Sequence, residues 1–156
     1  MCHTVNPRLF PEQLVYIINH AEDQVIFCDP MFVPILENIQ DQLTTTKHFI
    51  VLTSEEQMPE SSLPGLLCYE TLLAQETSDF DWPDLDERTP CSMCYTSGTT
   101  GNPKGVLYHH RSTILHTYAQ AMPDVFGVSA SDCILPIVPM FHVNAWGSIY
   151  VGPMTG

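Results

Sequence analysis

The feature that most restricts this chain is an alternation of helical and strand-like apolar spacing between residues 11 and 52. Leu14, Ile17, Ile18 and Ala21 fall at i, i+3, i+4 and i+7, one face of a helix, and Pro11 stands where a first helical turn accepts proline. Val25-Ile26-Phe27-Cys28 is then a short continuous apolar run that stops at Asp29-Pro30. Phe32, Ile35, Leu36, Ile39 and Leu43 return to helical spacing, and Phe49-Ile50-Val51-Leu52 is a second apolar run. Helix, strand, helix, strand predicts an α/β fold, with βα layers around a mostly parallel sheet and both strands buried.

Outside that stretch the signals are uneven. Residues 1–8 carry no element, and Asn6-Pro7-Arg8 reads as a turn. Ser54 to Leu63 is polar, with Pro59 inside it and Pro64 directly after it, and predicts a loop, and Tyr69 to Ala74 predicts a short helix. Glu76, Asp79, Asp81, Asp84, Asp86 and Glu87 surround Trp82-Pro83. An acidic run with proline is read as a solvated linker rather than an acidic binding site. The chain thus divides into a βα region at 1–75, a linker at 76–90 and a third segment at 91–156. In that last segment Cys91 to Tyr95 and Val106 to Tyr108 predict strands on either side of a Gly/Ser/Thr loop. Ile114, Leu115, Tyr118, Ala119 and Met122 mark a helix that Pro123 stops. A strand is expected at Cys133 to Ile137, leading into Pro139-Met140-Phe141-His142-Val143-Asn144-Ala145-Trp146-Gly147.

Charge excludes some partners. Eighteen acids against five Lys and Arg give a formal net charge of −13 over 156 residues, so nucleic acid and anionic membrane surfaces would repel the chain. The apolar fraction of 44 % is that of a globular protein, and no run reaches the ~18 apolar residues of a membrane span. With no leader pattern at the start, a soluble cytoplasmic protein with reduced thiols is expected. Of the six cysteines, Cys91 and Cys94 form a CxxC without a second pair at zinc spacing. They are read as small residues in a strand rather than as a metal or redox pair.

An anion could still be bound by local donors. Thr96-Ser97-Gly98-Thr99-Thr100-Gly101-Asn102-Pro103-Lys104-Gly105 holds three glycines, which let successive backbone N–H groups face one anion. Thr96, Ser97, Thr99 and Thr100 add hydroxyl donors, and Lys104 adds a point charge whose approach Pro103 restrains. A Walker A loop is excluded, because Lys104 is followed by Gly105 and then by an apolar run rather than by Ser or Thr on a helix. The competing reading, a mobile linker, accounts for neither Pro-Lys-Gly nor the strands on both sides. A phosphate cradle is the expectation.

These ten residues resemble the signature loop of the adenylate-forming, AMP-binding superfamily, which includes acyl-CoA synthetases, peptide-synthetase adenylation domains and firefly luciferases. PMFHVNAWG (residues 139–147) resembles the next motif of that family in its acyl-CoA synthetase form. NPRLFPEQLVYIINHAEDQVIFCD (residues 6–29) resembles the upstream region of medium- and long-chain fatty-acid–CoA ligases. The resemblance implies ATP-dependent activation of a fatty acid or other small carboxylate to acyl-AMP, followed by transfer to CoA. It implies that Thr96, Ser97, Gly98, Thr99, Thr100, Gly101 and Lys104 hold the β- and γ-phosphates, with Thr96 near Mg2+. His142 would lie near the reacting carboxylate, and Val143 and Trp146 at the junction of nucleotide site and acyl tunnel, with Trp146 as a gate. Taken alone, His142 beside Phe141 would be a packed core residue and Trp146 a core aromatic. His109, His110 and Arg111 are read as surface residues.

The resemblance also implies groups beyond these 156 residues: an adenine motif with a Glu for magnesium, a ribose-binding Asp, a hinge, and a small C-terminal domain with a lysine. The chain is therefore expected to be a fragment of the large N-terminal domain, inactive alone and prone to aggregate. A non-catalytic truncated nucleotide-binding or interaction module is the alternative.

Overall fold

The computed structural model describes residues 1–96 and 101–156. Among the described residues the elements are β1 (Cys2–His3), α1 (Pro11–His20), β2 (Val25–Cys28), α2 (Val33–Ile39), β3 (His48–Val51), β4 (Leu67–Cys68), α3 (Tyr69–Ala74), β5 (Pro90–Thr96), β6 (Lys104–His109), α4 (His110–Ala121), α5 (Val143–Trp146) and α6 (Ser148–Thr155). They fall into two compact units: Pro7–Pro83, and Met1–Asn6 with Asp84–Gly156. None of the helices among the described residues is long and apolar enough to cross a membrane.

The unit of residues 7–83 carries the expected alternation. Its sheet has the order β2-β3-β4 among the described residues, with every pair parallel. Parallel neighbours need a crossover, and α2 supplies the one between β2 and β3. Leu14, Ile17 and Ile18 are buried on α1, as their spacing predicts. On α2 the buried residues are Val33, Leu36 and Ile39, while Phe32 and Ile35 are only half-buried. The helical window is shorter than the apolar spacing implies, because single turns of 3-10 helix flank α2 at Pro30–Phe32 and Gln40–Gln42. Phe49, Ile50 and Val51 on the central strand β3 are buried, and such burial contributes about 1.5–3 kcal/mol per large aliphatic or aromatic side chain. β2 departs from expectation: Val25 and Phe27 are exposed while Cys28 is buried. An edge strand of this sheet alternates between a covered and an open face, so its apolar run did not mean two-sided burial. The pair Leu67–Cys68 also forms a strand that no sequence signal marks.

In the other unit β1 pairs parallel with β5, and β5 pairs antiparallel with β6, giving the order β1-β5-β6. Cys2 and His3 therefore form a strand where the sequence predicts no element; two residues are too few to show a period. The strand expected at Cys133 to Ile137 does not form. That segment is irregular, and Leu135 and Ile137 are among the most exposed apolar residues of the chain. An extended segment becomes a strand only when it pairs with a partner edge, and among the described residues no strand pairs with it.

The helix predicted from Ile114 onward is α4, but it is turned outward. Ile114, Leu115, Tyr118 and Met122 are exposed, whereas Thr117 and Gln120 are buried. Thr117 is accommodated because its hydroxyl donates to the Thr113 carbonyl oxygen at 2.7 Å, one turn back. The residues expected at the surface in front of this helix have structural roles. His109 caps α4, its Nδ1 accepting from the Ser112 N–H at 2.9 Å, and Arg111 pairs with Glu87 at 2.7 Å.

Candidate functional site

The second unit assembles the candidate site from β5, β6 and the turn numbered 142–147. The β5–β6 pairing sets Cys94 opposite Val106, Tyr95 opposite Gly105, and Thr96 opposite Lys104. Lys104 and Gly105 thus belong to a strand rather than to the loop, and the loop closes a hairpin whose last paired residues are Thr96 and Lys104. Both are exposed. Directly opposed residues of an antiparallel pair project to the same face, so a hydroxyl and an ammonium flank the base of the loop together. Gly101, in the left-handed region at φ +97°, is the described glycine of the loop proper. Ser97, Gly98, Thr99 and Thr100 lie outside the described residues. Gly105 serves the hairpin: a Cβ there would meet Met93 Sδ at 3.1 Å and the Tyr95 ring at 3.2 Å.

The CxxC resolves into two unrelated thiols. Cys91 sits at an irregularity of register between Pro90 and Ser92, and its Sγ donates to the Tyr108 carbonyl at 3.4 Å. Cys94 is buried and donates to Asn144 Oδ1 at 3.7 Å. Burial first, and the neighbouring Cys94 second, push the Tyr108 phenol up, so its hydroxyl stays neutral.

The segment resembling an acyl-pocket motif has an unusual backbone. Val143, Asn144, Ala145 and Trp146 have φ of 51°, 49°, 51° and 57°, and Gly147 follows at 76°. This is a turn of left-handed helix built on non-glycine residues. At about 1–2 kcal/mol per L-residue, the four store roughly 4–8 kcal/mol of local strain that surrounding contacts must offset. The turn separates its side chains cleanly: Asn144 and Ala145 point into the unit, while His142, Val143 and Trp146 are exposed. His142 and Trp146 are therefore not the packed core residues that each would be taken for in isolation.

Buried polar contacts hold the turn. The Asn144 Nδ2 donates to Ser92 Oγ at 2.9 Å, and its Oδ1 accepts from Thr4 Oγ1 at 3.2 Å. The Gln120 amide Nε2 donates to the Trp146 carbonyl oxygen, and Ser148 Oγ donates to the Ala145 carbonyl at 2.7 Å. Gly147 leaves room for α4: a Cβ there would come within 2.9 Å of His116 Nδ1 and 3.1 Å of Gln120 Oε1. Sequence reasoning passed over Asn144, Gln120 and Ser92. Asn144 carried a usable signal, since asparagine is among the few side chains that tolerate the left-handed region.

Comparison with known proteins agrees with this geometry. Over 156 residues the chain is 56 % identical to a 3-methylmercaptopropionyl-CoA ligase of Ruegeria lacuscaerulensis, covering 100 % of this chain and 29 % of that protein. It is 53 % identical over 156 residues to a medium-chain-fatty-acid–CoA ligase of Ectopseudomonas oleovorans, again covering 100 % and 29 %. A long-chain-fatty-acid–CoA ligase of Thermus thermophilus is 46 % identical over 154 residues, covering 99 % and 27 %. The chain thus spans under a third of the length of these relatives. In fold it matches the crystal structure of the anthranilate CoA ligase AuaEII in complex with anthranoyl-AMP with a TM-score of 0.78 at 24 % identity, over 96 % of this chain and 29 % of that one. The family model for AMP-binding enzymes matches residues 1–156, and the chain belongs to that family.

Proposed function

We propose that the chain is part of an acid–thiol ligase acting on a fatty acid or another small carboxylate. In the first half-reaction a carboxylate oxygen attacks the α-phosphorus of ATP, forming the acyl-adenylate as the bond to pyrophosphate breaks. In the second the CoA thiol, losing its proton, attacks the acyl carbon and AMP departs. The observation that carries this reading is the pairing of Thr96 with Lys104 at the loop base, in the same unit as the turn that exposes His142, Val143 and Trp146. Sequence identity above one half to two CoA ligases supports it.

The roles follow from charge. Lys104, the Thr96 hydroxyl and the loop through Ser97, Gly98, Thr99, Thr100 and Gly101 bind the β- and γ-phosphates and offset the charge growing on the leaving pyrophosphate. The Thr96 hydroxyl is a hard oxygen donor of the kind Mg2+ accepts alongside phosphate oxygens and water. Bound there, the ion would supply further neutralisation of phosphate charge. His142 is proposed to contact the reacting carboxylate, with Val143 and Trp146 lining the way in for the acyl chain. The adenine, ribose and CoA contacts come from outside these 156 residues.

The test is carboxylate-dependent ATP–pyrophosphate exchange by the full-length ligase, across acids from 3-methylmercaptopropionate to long-chain fatty acids. Lys104→Ala is expected to lower exchange by about 10²–10³-fold, the usual effect of removing one transition-state donor. Unchanged exchange in that variant would remove the loop from the mechanism. Nucleotide binding with no exchange on any acid would favour a non-catalytic module instead.

A further inference from the structure

We infer that Asn144 is a positioning residue, whose buried carboxamide ties the left-handed turn displaying His142, Val143 and Trp146 to the strand that delivers Thr96 into the phosphate-binding loop. This rests on the ligase reading above and adds to it a residue that touches neither substrate.

The geometry is specific. Asn144 is 5 % exposed and reaches two residues of β5, Ser92 by donation and Cys94 by acceptance, and a third group just past β1, the Thr4 hydroxyl. Ser92, Cys94 and Thr96 lie at i, i+2 and i+4, so they share one face of β5, and Lys104 opposite Thr96 shares it too. The carboxamide therefore anchors the turn to the very strand face that ends in the loop's hydroxyl and ammonium. Its two ends are used differently: the amide is spent on Ser92, and the carbonyl collects Thr4 and Cys94. Alanine offers neither end, and a hydroxyl side chain is too short to span both strands.

The strained backbone makes this anchor consequential. Left-handed helix on non-glycine residues relaxes when its supports are removed. Gln120 supports the turn at its far end, through the Trp146 carbonyl, but does not reach β5. Without the Asn144 carboxamide, His142, Val143 and Trp146 are free to shift as a group against Thr96 and Lys104. The phosphate end, held by the β5–β6 ladder, does not shift with them. Loss of the carboxamide should therefore weaken use of the carboxylate while sparing use of ATP.

The experiment compares Asn144→Gly, Asn144→Ala, Ser92→Ala and the Asn144→Gly/Ser92→Ala double variant in the full-length ligase. Measured are KM for carboxylate and for ATP, kcat for adenylate formation, and the melting temperature. Glycine adopts φ near 49° without strain and alanine only at a steric cost, so the pair separates backbone strain from carboxamide bonding. The expected result is a rise in carboxylate KM of about tenfold to a hundredfold in both Asn144 variants, as for reacting groups misplaced by about 1 Å. KM for ATP stays within a small factor of the unmodified enzyme. The carboxylate KM of the double variant is expected to match that of Asn144→Gly, because the Asn144–Ser92 bond is already lost there, while loss of the Tyr150 contact to Ser92 registers in the melting temperature. A carboxylate KM that survives Asn144→Gly overturns the inference, whether or not Asn144→Ala is damaging. So does a fall in melting temperature with both KM values unchanged, which would make Asn144 merely structural. If the unmodified enzyme forms no acyl-adenylate from any acid, the ligase reading falls and this inference with it.

Discussion

The outward stripe of α4 should make the isolated 156-residue chain associate with itself. Ile114, Leu115 and Tyr118 on α4, with Met122 at its C-cap, are between 51 % and 59 % exposed. Covering a large apolar side chain fully is worth about 1.5–3 kcal/mol, so covering the exposed half of four such residues yields roughly 3–6 kcal/mol. That falls at or below the entropic cost of association, about 4–15 kcal/mol. Leu107, Val125, Phe126, Leu135 and Ile137 are also exposed and bring the sum above the lower limit. The outcome is weak, heterogeneous association rather than one tight dimer. The charge of −13 opposes it, so association should strengthen as salt is added. Replacing Ile114, Leu115, Tyr118 and Met122 together by glutamine leaves the charge unchanged and touches no buried side chain. Losing ~3–6 kcal/mol corresponds to association weaker by about a hundredfold or more. Sedimentation velocity from sub-micromolar to hundred-micromolar protein reads this directly, with far-ultraviolet circular dichroism to check that α4 persists. A parent chain that stays monomeric and unfolds cooperatively would refute the reasoning, as would a glutamine variant that associates equally well.

Gly147→Ala is expected to destabilise by roughly 2–5 kcal/mol, the sum of one left-handed penalty and disturbance of the buried Gln120 amide. Thermal denaturation checks it, and a melting point within a degree of the parent's contradicts it. Gly105→Ala should loosen the hairpin, because its Cβ would press on Met93 Sδ and the hydroxyl end of the Tyr95 ring. Faster amide exchange across β5 and β6 would reveal this, and unchanged protection would count against it. The Cys28 thiol is pushed up to about 11, first by burial and then by Asp29. At pH 8 its thiolate fraction is about 10⁻³, so iodoacetamide should label the exposed Cys2 and Cys133 well before Cys28. Equal rates would contradict that burial. The Glu37 carboxyl is held below the ordinary carboxylate value, chiefly by the Ser62 N–H at 2.6 Å and then by the Ser61 hydroxyl. Its contribution is therefore present above pH 4.5 and lost as pH falls through the lower folded value. Glu37→Gln should abolish this acid-side loosening of residues 61–63, read by amide exchange, and an unaltered pH profile would exclude it.

Much of the unit of residues 7–83 was legible because its signals are local. The stripe of Leu14, Ile17 and Ile18 and the run Phe49 to Val51 each carry a period that only one element fits, and helix after strand leaves parallel pairing as the short solution. The hairpin was legible for a similar reason, since glycine, threonine and Pro-Lys-Gly between two apolar runs leave few alternatives. Burial was less legible. Phe27 and Ile50 look alike in sequence, yet one lies on an edge strand and the other on the central one.

By itself the sequence determined the main elements of residues 7–83, the two strands of the hairpin and the helix before Pro123, and it nominated the candidate residues, because spacing along the chain says which side chains share a face. Tertiary structure alone decided which face is covered. It turned the apolar side of α4 outward, left Cys133 to Ile137 unpaired with any strand among the described residues, and opposed Thr96 to Lys104 through the register of β5 and β6. It also wound residues 143–146 left-handed, a conformation that residue propensity opposes and that the contacts of Asn144 and Gln120 sustain. Those contacts join residues 52 and 26 positions apart, and separations of that length leave no trace in local spacing.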